Sequence, residues 1–235
     1  MMLGLSTGRM LPPWQIFCIV LLISEGFGEG QTIPAAGGHP DLTGVYQSIP
    51  QGVTLPGGLK NSGDPSGVAL QPSAIEQLKK VDLKEDAARL CLPVGPFRMM
   101  ARNKTKIELA PGPGTLVMLF EDIAHGNMRT IHLARTHPAK VASSWMGDST
   151  GKWEGDTFVI DTVGFDERIW LNEKGAQHSD AFHLVERIRV LVEGKVLEYR
   201  VTAEDPKVLK QPYTYTRIFQ KLDTEIMDDF CEVKE

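Results

Sequence analysis

From residue 106 onward the chain alternates apolar and polar side chains over short runs. This period of two predicts strands at 106–109, 115–120, 128–135, 141–145, 157–163, 182–192, 196–202 and 213–219. Gly, Pro, Asn and Asp punctuate the runs, and Glu193-Gly194-Lys195 reads as a short hairpin loop. Eight sequential strands with short connections predict an antiparallel meander. Closure into a barrel is its natural end, because closure removes exposed edges; a two-sheet sandwich is the rival. Upstream, helix formers dominate 71–90, with Pro72 and Ser73 at a start and a break near Lys80, which predicts two short helices. Pro93, Gly95 and Pro96 are expected to end helical character. Residues 31–61 are rich in Gly and Pro, and only 42–46 have strand-like composition. The expected fold is mainly β, a barrel over 101–235 preceded by an irregular and helical segment over 31–100 packed on it.

Strand faces sharpen this picture. Phe182, Leu184, Glu186, Ile188, Val190 and Val192 share one side of the sixth strand, so Glu186 is the polar member of an apolar stripe. His183, Arg187 and Arg189 lie on the other side. In the last strand Tyr213, Tyr215, Arg217 and Phe219 share a face interrupted by Arg217. If both faces look inward, Glu186 and Arg217 meet in the barrel, either as a structural ion pair or facing a ligand.

The first 30 residues look like a secretory leader, with Arg9 before an apolar run over 14–23 and small residues Gly28 and Gly30 ahead of Gln31. The run is shorter than the ~20 residues that span a bilayer, so no stable membrane span is expected after cleavage. Cleavage leaves Cys91 and Cys231, and two cysteines in an oxidising compartment are most simply a disulfide. Net charge is −5 with no Lys/Arg block, which argues against a nucleic-acid partner.

Chemistry concentrates between Trp145 and Phe165, read as a glycine-rich loop feeding the strand at 157–163. Asp148, Glu154, Asp156 and Asp161 repel one another unless cations, water or hydrogen bonds hold them. Gly147-Asp148-Ser149-Thr150-Gly151 matches a nucleophile elbow, but a strand follows where that motif needs a helix, so Ser149 reads more readily as a turn serine. Of the six histidines, His137 and His178 fall in loops, and with His183 and Asp148 or Glu186 they could form a nitrogen and oxygen metal site, though no compact ligand spacing occurs. Loop histidines bonded to backbone or water are the plainer reading. Trp145, Trp153 and Trp170 could line a barrel mouth or simply plug the core.

Taken together, Cys91-Leu92-Pro93-Val94-Gly95, His137-Pro138, the Trp145–Asp156 block, Asp161-Thr162-Val163-Gly164-Phe165, His178-Ser179, Glu186-Arg187, Glu204-Asp205-Pro206 and Cys231 resemble a family of exported bacterial proteins with no assigned activity. The resemblance covers about 41–231 and implies export, a Cys91 to Cys231 bridge and a lipocalin-like barrel. Many members carry an Asp where this chain has Ala134.

Two functions are expected from this reading. In the first, an exported barrel binds a small, partly apolar ligand between its strands, with Trp145, Trp153, Trp170, His183, Tyr215 and Arg217 as contacts. In the second, a hydrolase or lyase uses His137 and His178 as base or ligands, Asp148 and Glu186 as carboxylate partners and Arg187 or Arg217 to stabilise an anion, with or without a divalent metal. The sequence leaves the cofactor unknown.

Overall fold

The strands are β1 (Gly44–Ser48), β2 (Thr54–Leu55), β3 (Leu59–Lys60), β4 (Lys106–Gly112), β5 (Thr115–Glu121), β6 (Met128–Leu133), β7 (Asp148–Glu154), β8 (Thr157–Val163), β9 (His183–Leu191), β10 (Val196–Glu204) and β11 (Tyr213–Leu222). Nine of them close into a barrel in the order β1-β11-β10-β9-β8-β7-β6-β5-β4, with β1 pairing antiparallel to both β11 and β4. The structure is a computed structural model that describes residues 38–121 and 128–227. The leader and Cys231 lie outside the described residues.

The fold is therefore mainly β and closed, with nine strands in the wall where eight were expected. Three differences account for the count: one expected strand is lost, and β7 and β1 are gained. The stretch 141–145 forms no strand, only an isolated bridge at Ser144 to Phe165. Asp148–Glu154, expected to be a loop, is instead β7, paired antiparallel with β8 and parallel with β6. The chain must cross the wall's outer side between β6 and β7 to arrive parallel, so the meander is interrupted there. The parallel contact is short: Ile131, His132 and Leu133 opposite Ser149, Thr150 and Gly151. The last strand to be added is β1, so the wall begins well before residue 101.

Pattern explains the wall. In β5, β9 and β10 burial alternates residue by residue, placing Leu116, Met118 and Phe120, then Leu184, Glu186 and Ile188, then Leu197, Tyr199 and Val201 inside. Gly151 also faces inward; a Cβ there would come within 2.6 Å of the Phe158 ring and 2.8 Å of Ile131. Only a glycine lets β7 approach the core this closely.

One helix is α1 (Pro72–Leu78), and 3-10 turns at Leu83–Glu85 and Ala87–Leu90 replace the second expected helix. Helical character does not end at Pro96. A short helix, α2 (Gly95–Met99), starts there, because a proline in the first turn lacks only an N–H that the helix leaves unbonded anyway. Every residue of α2 is buried. Its Phe97 packs on the rings of Phe182 and Tyr215, and the Tyr215 hydroxyl donates to the Phe97 carbonyl at 2.6 Å. That contact closes one end of the barrel with side chains and a helix.

Candidate functional site

Three polar assemblies occupy the β6–β10 side of the wall and the closed end beside it. The first is internal. Arg129 on β6 donates to both oxygens of Glu186 on β9, to Ser149 Oγ on β7 at 2.9 Å and to Thr162 Oγ1 on β8 at 2.5 Å, the Glu186 Oε1 contact being 3.0 Å. The Tyr199 hydroxyl on β10 donates to Glu186 Oε1 at 2.7 Å. Burial opposes the Arg129 charge, but the Glu186 carboxylate more than offsets this and raises its pKa. Burial and the same carboxylate push the Tyr199 hydroxyl well above its ordinary value. Every member has a partner, as a buried charge requires.

Glu186 therefore does not meet Arg217. The Arg217 guanidinium bonds backbone oxygens instead: Gly63 at 2.8 Å, Thr216 at 2.9 Å and Ala101 at 3.1 Å. Ser149 is a strand residue rather than a turn residue, buried, with its hydroxyl held by Arg129.

The second assembly lies on the outer surface of the same strands. His137, in the crossover between β6 and β7, places Nδ1 at 2.6 Å from Asp148 Oδ1 and Nε2 at 2.8 Å from Asp161 Oδ1. Asp161 reaches on to His183 Nε2 at 2.9 Å, and Arg135 donates to Asp148 Oδ2 at 2.6 Å. Glu204 on β10 stands 3.5 Å from His183 Nδ1, a loose contact that leaves this nitrogen less committed than the other three imidazole nitrogens of His137 and His183. Burial would raise Asp148, but bonds from Arg135 and His137 hold it below the usual carboxylate range. The bond from His183, aided by His137, lowers Asp161 in spite of burial. Reciprocally, Asp161 raises His183 against burial, with Glu204 adding to the effect.

The four crowded carboxylates are thus resolved in part by hydrogen bonds and ion pairs: Asp148 and Asp161 as above, and Glu154 by Lys152 and Arg187 at 2.9 and 2.8 Å. A shallow groove of about 240 Å³ runs beside this chain, bordered by Arg135, Thr150, Lys152, Glu154, Asp161 and Arg187. Chemically, such an arrangement can accept, hold and pass protons.

The third assembly is at the barrel end closed by α2. The connection between β8 and β9 folds against the 3-10 turns before α2 and the segment before β7. Between them lies a cleft of about 510 Å³ lined by Glu85, Ala87, Leu90, Leu92, Trp145, Glu167, Arg168, Trp170, Gln177 and His178. Arg168 lies over the Trp145 ring at 4.3 Å and bonds Asp166 through two nitrogens at 2.8 Å. His178 sits between two backbone carbonyls, Ser179 at 2.8 Å and Asp166 at 2.9 Å, with its ring against Phe165 and Phe182. It fixes the cleft's back wall.

The structure divides the expected site residues among these places. His137, Asp148, His183 and Arg187 come together on the outer wall. His178 and Glu186 do not join them: one braces the cleft, the other is sealed in the core. Trp145 and Trp170 line one cleft, but Trp153 does not, because His39 stacks on it at 4.7 Å and Phe158 packs edge-on. Tyr215 and Arg217 hold α2 and its flanks. Among the described residues, no group of three or more His, Cys, Asp or Glu is arranged to hold a metal ion. Nor is any described helix long and apolar enough to cross a membrane.

Sequence reasoning missed Arg129, Tyr199, Asp161 as a hub, and Arg168. Arg129 carried a usable signal, since Arg129, Ile131 and Leu133 form an apolar stripe broken by one charge, as in the Glu186 strand. No protein-family model matches the chain, and no curated protein matches it in sequence.

Proposed function

We propose that the protein is an exported barrel that binds a small, partly apolar ligand in the cleft between Trp145 and Trp170. The observation that carries this reading is the make-up of that cleft: Leu90, Leu92 and two tryptophans supply apolar surface, while Arg168, Gln177 and His178 supply a few polar groups. The lipocalin-like expectation would put the ligand in the lumen. Phe97, Tyr199, Phe219 and the Arg129 network take up space there, so the end of the barrel is the better seat. Export rests on the composition of the first 30 residues and on the resemblance to exported bacterial proteins; on the same reading Cys91 is bridged to Cys231.

Native mass spectrometry of the purified protein, with a panel of small molecules read by tryptophan fluorescence, tests the cleft. A ligand that quenches the wild type and loses at least tenfold affinity in Trp145→Ala is the expected result. A ligand that binds Trp145→Ala as tightly as wild type overturns it.

A second reading has its own observation. Two histidines bridged by Asp161, beside a groove bearing Arg135, Lys152 and Arg187, have the parts for acid–base chemistry on an anionic substrate. His183 is the proton-exchanging group in this reading, and Asp161 orients it. Turnover of a candidate substrate abolished in His183→Gln and retained in Trp145→Ala would favour it over the binding role.

A further inference from the structure

The charge lining the Trp145 cleft points to a ligand class, and this step rests on the binding role proposed for that cleft. A second cleft of about 630 Å³ adjoins the first and shares Glu167, Arg168 and His178 with it. Leaving the histidine aside, the two are lined by four carboxylates, Glu85, Asp166, Glu167 and Asp180, and by one cation, Arg168. That cation is already committed, since both of its bonds go to Asp166. Asp180 is matched from outside by Lys207 at 2.5 Å. Glu85 and Glu167 are left with no cation in contact among the described residues, and Lys84 and Arg89, on the same turns as Glu85, are not part of the lining.

The aromatic wall adds a second, independent observation. The guanidinium of Arg168 rests over the Trp145 face at 4.3 Å, where the ring's quadrupole attracts positive charge. Arg168 is exposed and sits on an irregular connection, held by its bonds to Asp166, by that ring and by a longer-range attraction from Glu167. It stands where the positive group of a ligand would stand.

From these two observations we infer that the cleft takes an organic cation with an apolar body, an amine or quaternary ammonium, whose charged group displaces Arg168 from Trp145 and faces Glu85 and Glu167. An anionic ligand would meet the carboxylates of Glu85 and Glu167 and find Arg168 already neutralised by Asp166. A neutral ligand would leave Arg168 in place and use the leucines alone.

A matched series separates these cases: benzyltrimethylammonium, benzyl alcohol and benzoate, titrated by tryptophan fluorescence and calorimetry against the full chain. The expected result is binding of the ammonium at least tenfold tighter than of the other two. It should weaken about three- to tenfold in a Glu85→Gln/Glu167→Gln double variant, which alters two exposed side chains and leaves the fold intact. Arg168→Ala clears the ring and should tighten the ammonium several-fold. If benzoate or benzyl alcohol binds as well as the ammonium, and Trp145→Ala weakens it, the charge class is overturned while the cleft's binding role stands. If the ammonium binds but the double variant does not weaken it, the inference is likewise overturned. If none of the three binds wild type, both the class and the cleft's binding role fall.

Discussion

Arg129 on β6 and Glu186 on β9 are joined across the barrel interior although β7 and β8 separate them in the wall. The strands between contribute Ser149 and Thr162 to the same network, and β10 contributes Tyr199, so five consecutive strands each send one polar side chain to one point. The brace spans the parallel β6–β7 seam, where only three residue pairs hold the strands together. Its position explains why a buried ion pair is tolerated in an otherwise apolar lumen.

Removing one partner leaves the other charged and stranded. Glu186→Ala or Arg129→Ala is expected to cost about 3–5 kcal/mol, because an uncompensated buried charge remains. A double variant, Arg129→Met with Glu186→Leu, should recover most of that loss, since an apolar pair removes the desolvation cost along with the attraction. Urea unfolding of the singles and the double measures it. A double variant as unstable as either single would show that the network's value lies in something other than compensated burial.

The outer chain sets a pH dependence. His183 holds its proton more tightly folded than unfolded, owing first to its bond with Asp161. Its contribution is therefore fully present below the ordinary imidazole value, ~6.5, and is lost as pH rises through the raised folded value. Asp161, lowered chiefly by His183, and Asp148, lowered by Arg135 and His137 against burial, behave oppositely. Their contribution is present above the ordinary carboxylate value, ~4, and is lost as pH falls through the lowered ones. Melting temperature should fall on both sides of a plateau between these limits. His183→Gln should flatten the alkaline limb and leave most of the acid limb. An unchanged alkaline limb in that variant would remove His183 from the account.

How far the sequence anticipates this can be read from single positions. The burial of Glu186 follows from one polar residue in an apolar stripe, and the outward placement of His183 and Arg187 follows from the same alternation. The partner of Glu186 does not follow, because which inward residues meet depends on the barrel's register and on the crossover before β7. That crossover is itself obscured: β7 carries Ser149 and Gly151 on its inner face, so the apolar alternation that marks a strand is absent. Conversely 141–145 begins and ends on apolar residues, Val141 and Trp145, but lies outside the wall, with Ser144 bridged to Phe165 and bonded to the backbone of Gly164 and Asp166. The cleft residues Arg168 and Glu167 lie on an irregular connection, where no periodicity assigns a face.

Gly151 tests the packing that makes β7 a strand. Its ideal Cβ would press on Phe158 and Ile131, both buried and neither the far end of a flexible chain. Gly151→Ala is expected to cost about 1–3 kcal/mol through overpacking. A compensating Ile131→Leu, which removes the Cγ2 branch that the new Cβ would meet while keeping the side chain's volume, should return part of it. Equilibrium unfolding of the single and double variants reads this directly, and an Ala variant as stable as wild type would mean that β7 moves outward freely.

Arg217 supplies the last case, because its role differs from the one its sequence position suggests. It is buried among aromatic residues, with Tyr215 in cation contact at 4.8 Å, yet its hydrogen bonds reach only backbone oxygens. Burial lowers its pKa, but a guanidinium stays charged at any ordinary pH. Carbonyl dipoles from Gly63 and Ala101 therefore carry the solvation of this charge. In return the side chain ties the segment before α1 to the segment after α2. Arg217→Met should strand those two carbonyls at a cost of about 1–3 kcal/mol each where they remain dry, less where water enters. Lysine in its place has one ammonium for both and cannot span the fork, so Arg217→Lys should recover only part. Hydrogen exchange should quicken first at 62–66 and 101–105 in the Met variant, while ligand affinity at the Trp145 cleft stays at the wild-type value. A variant that loses cleft binding yet keeps normal exchange at both segments would return Arg217 to a ligand-facing role.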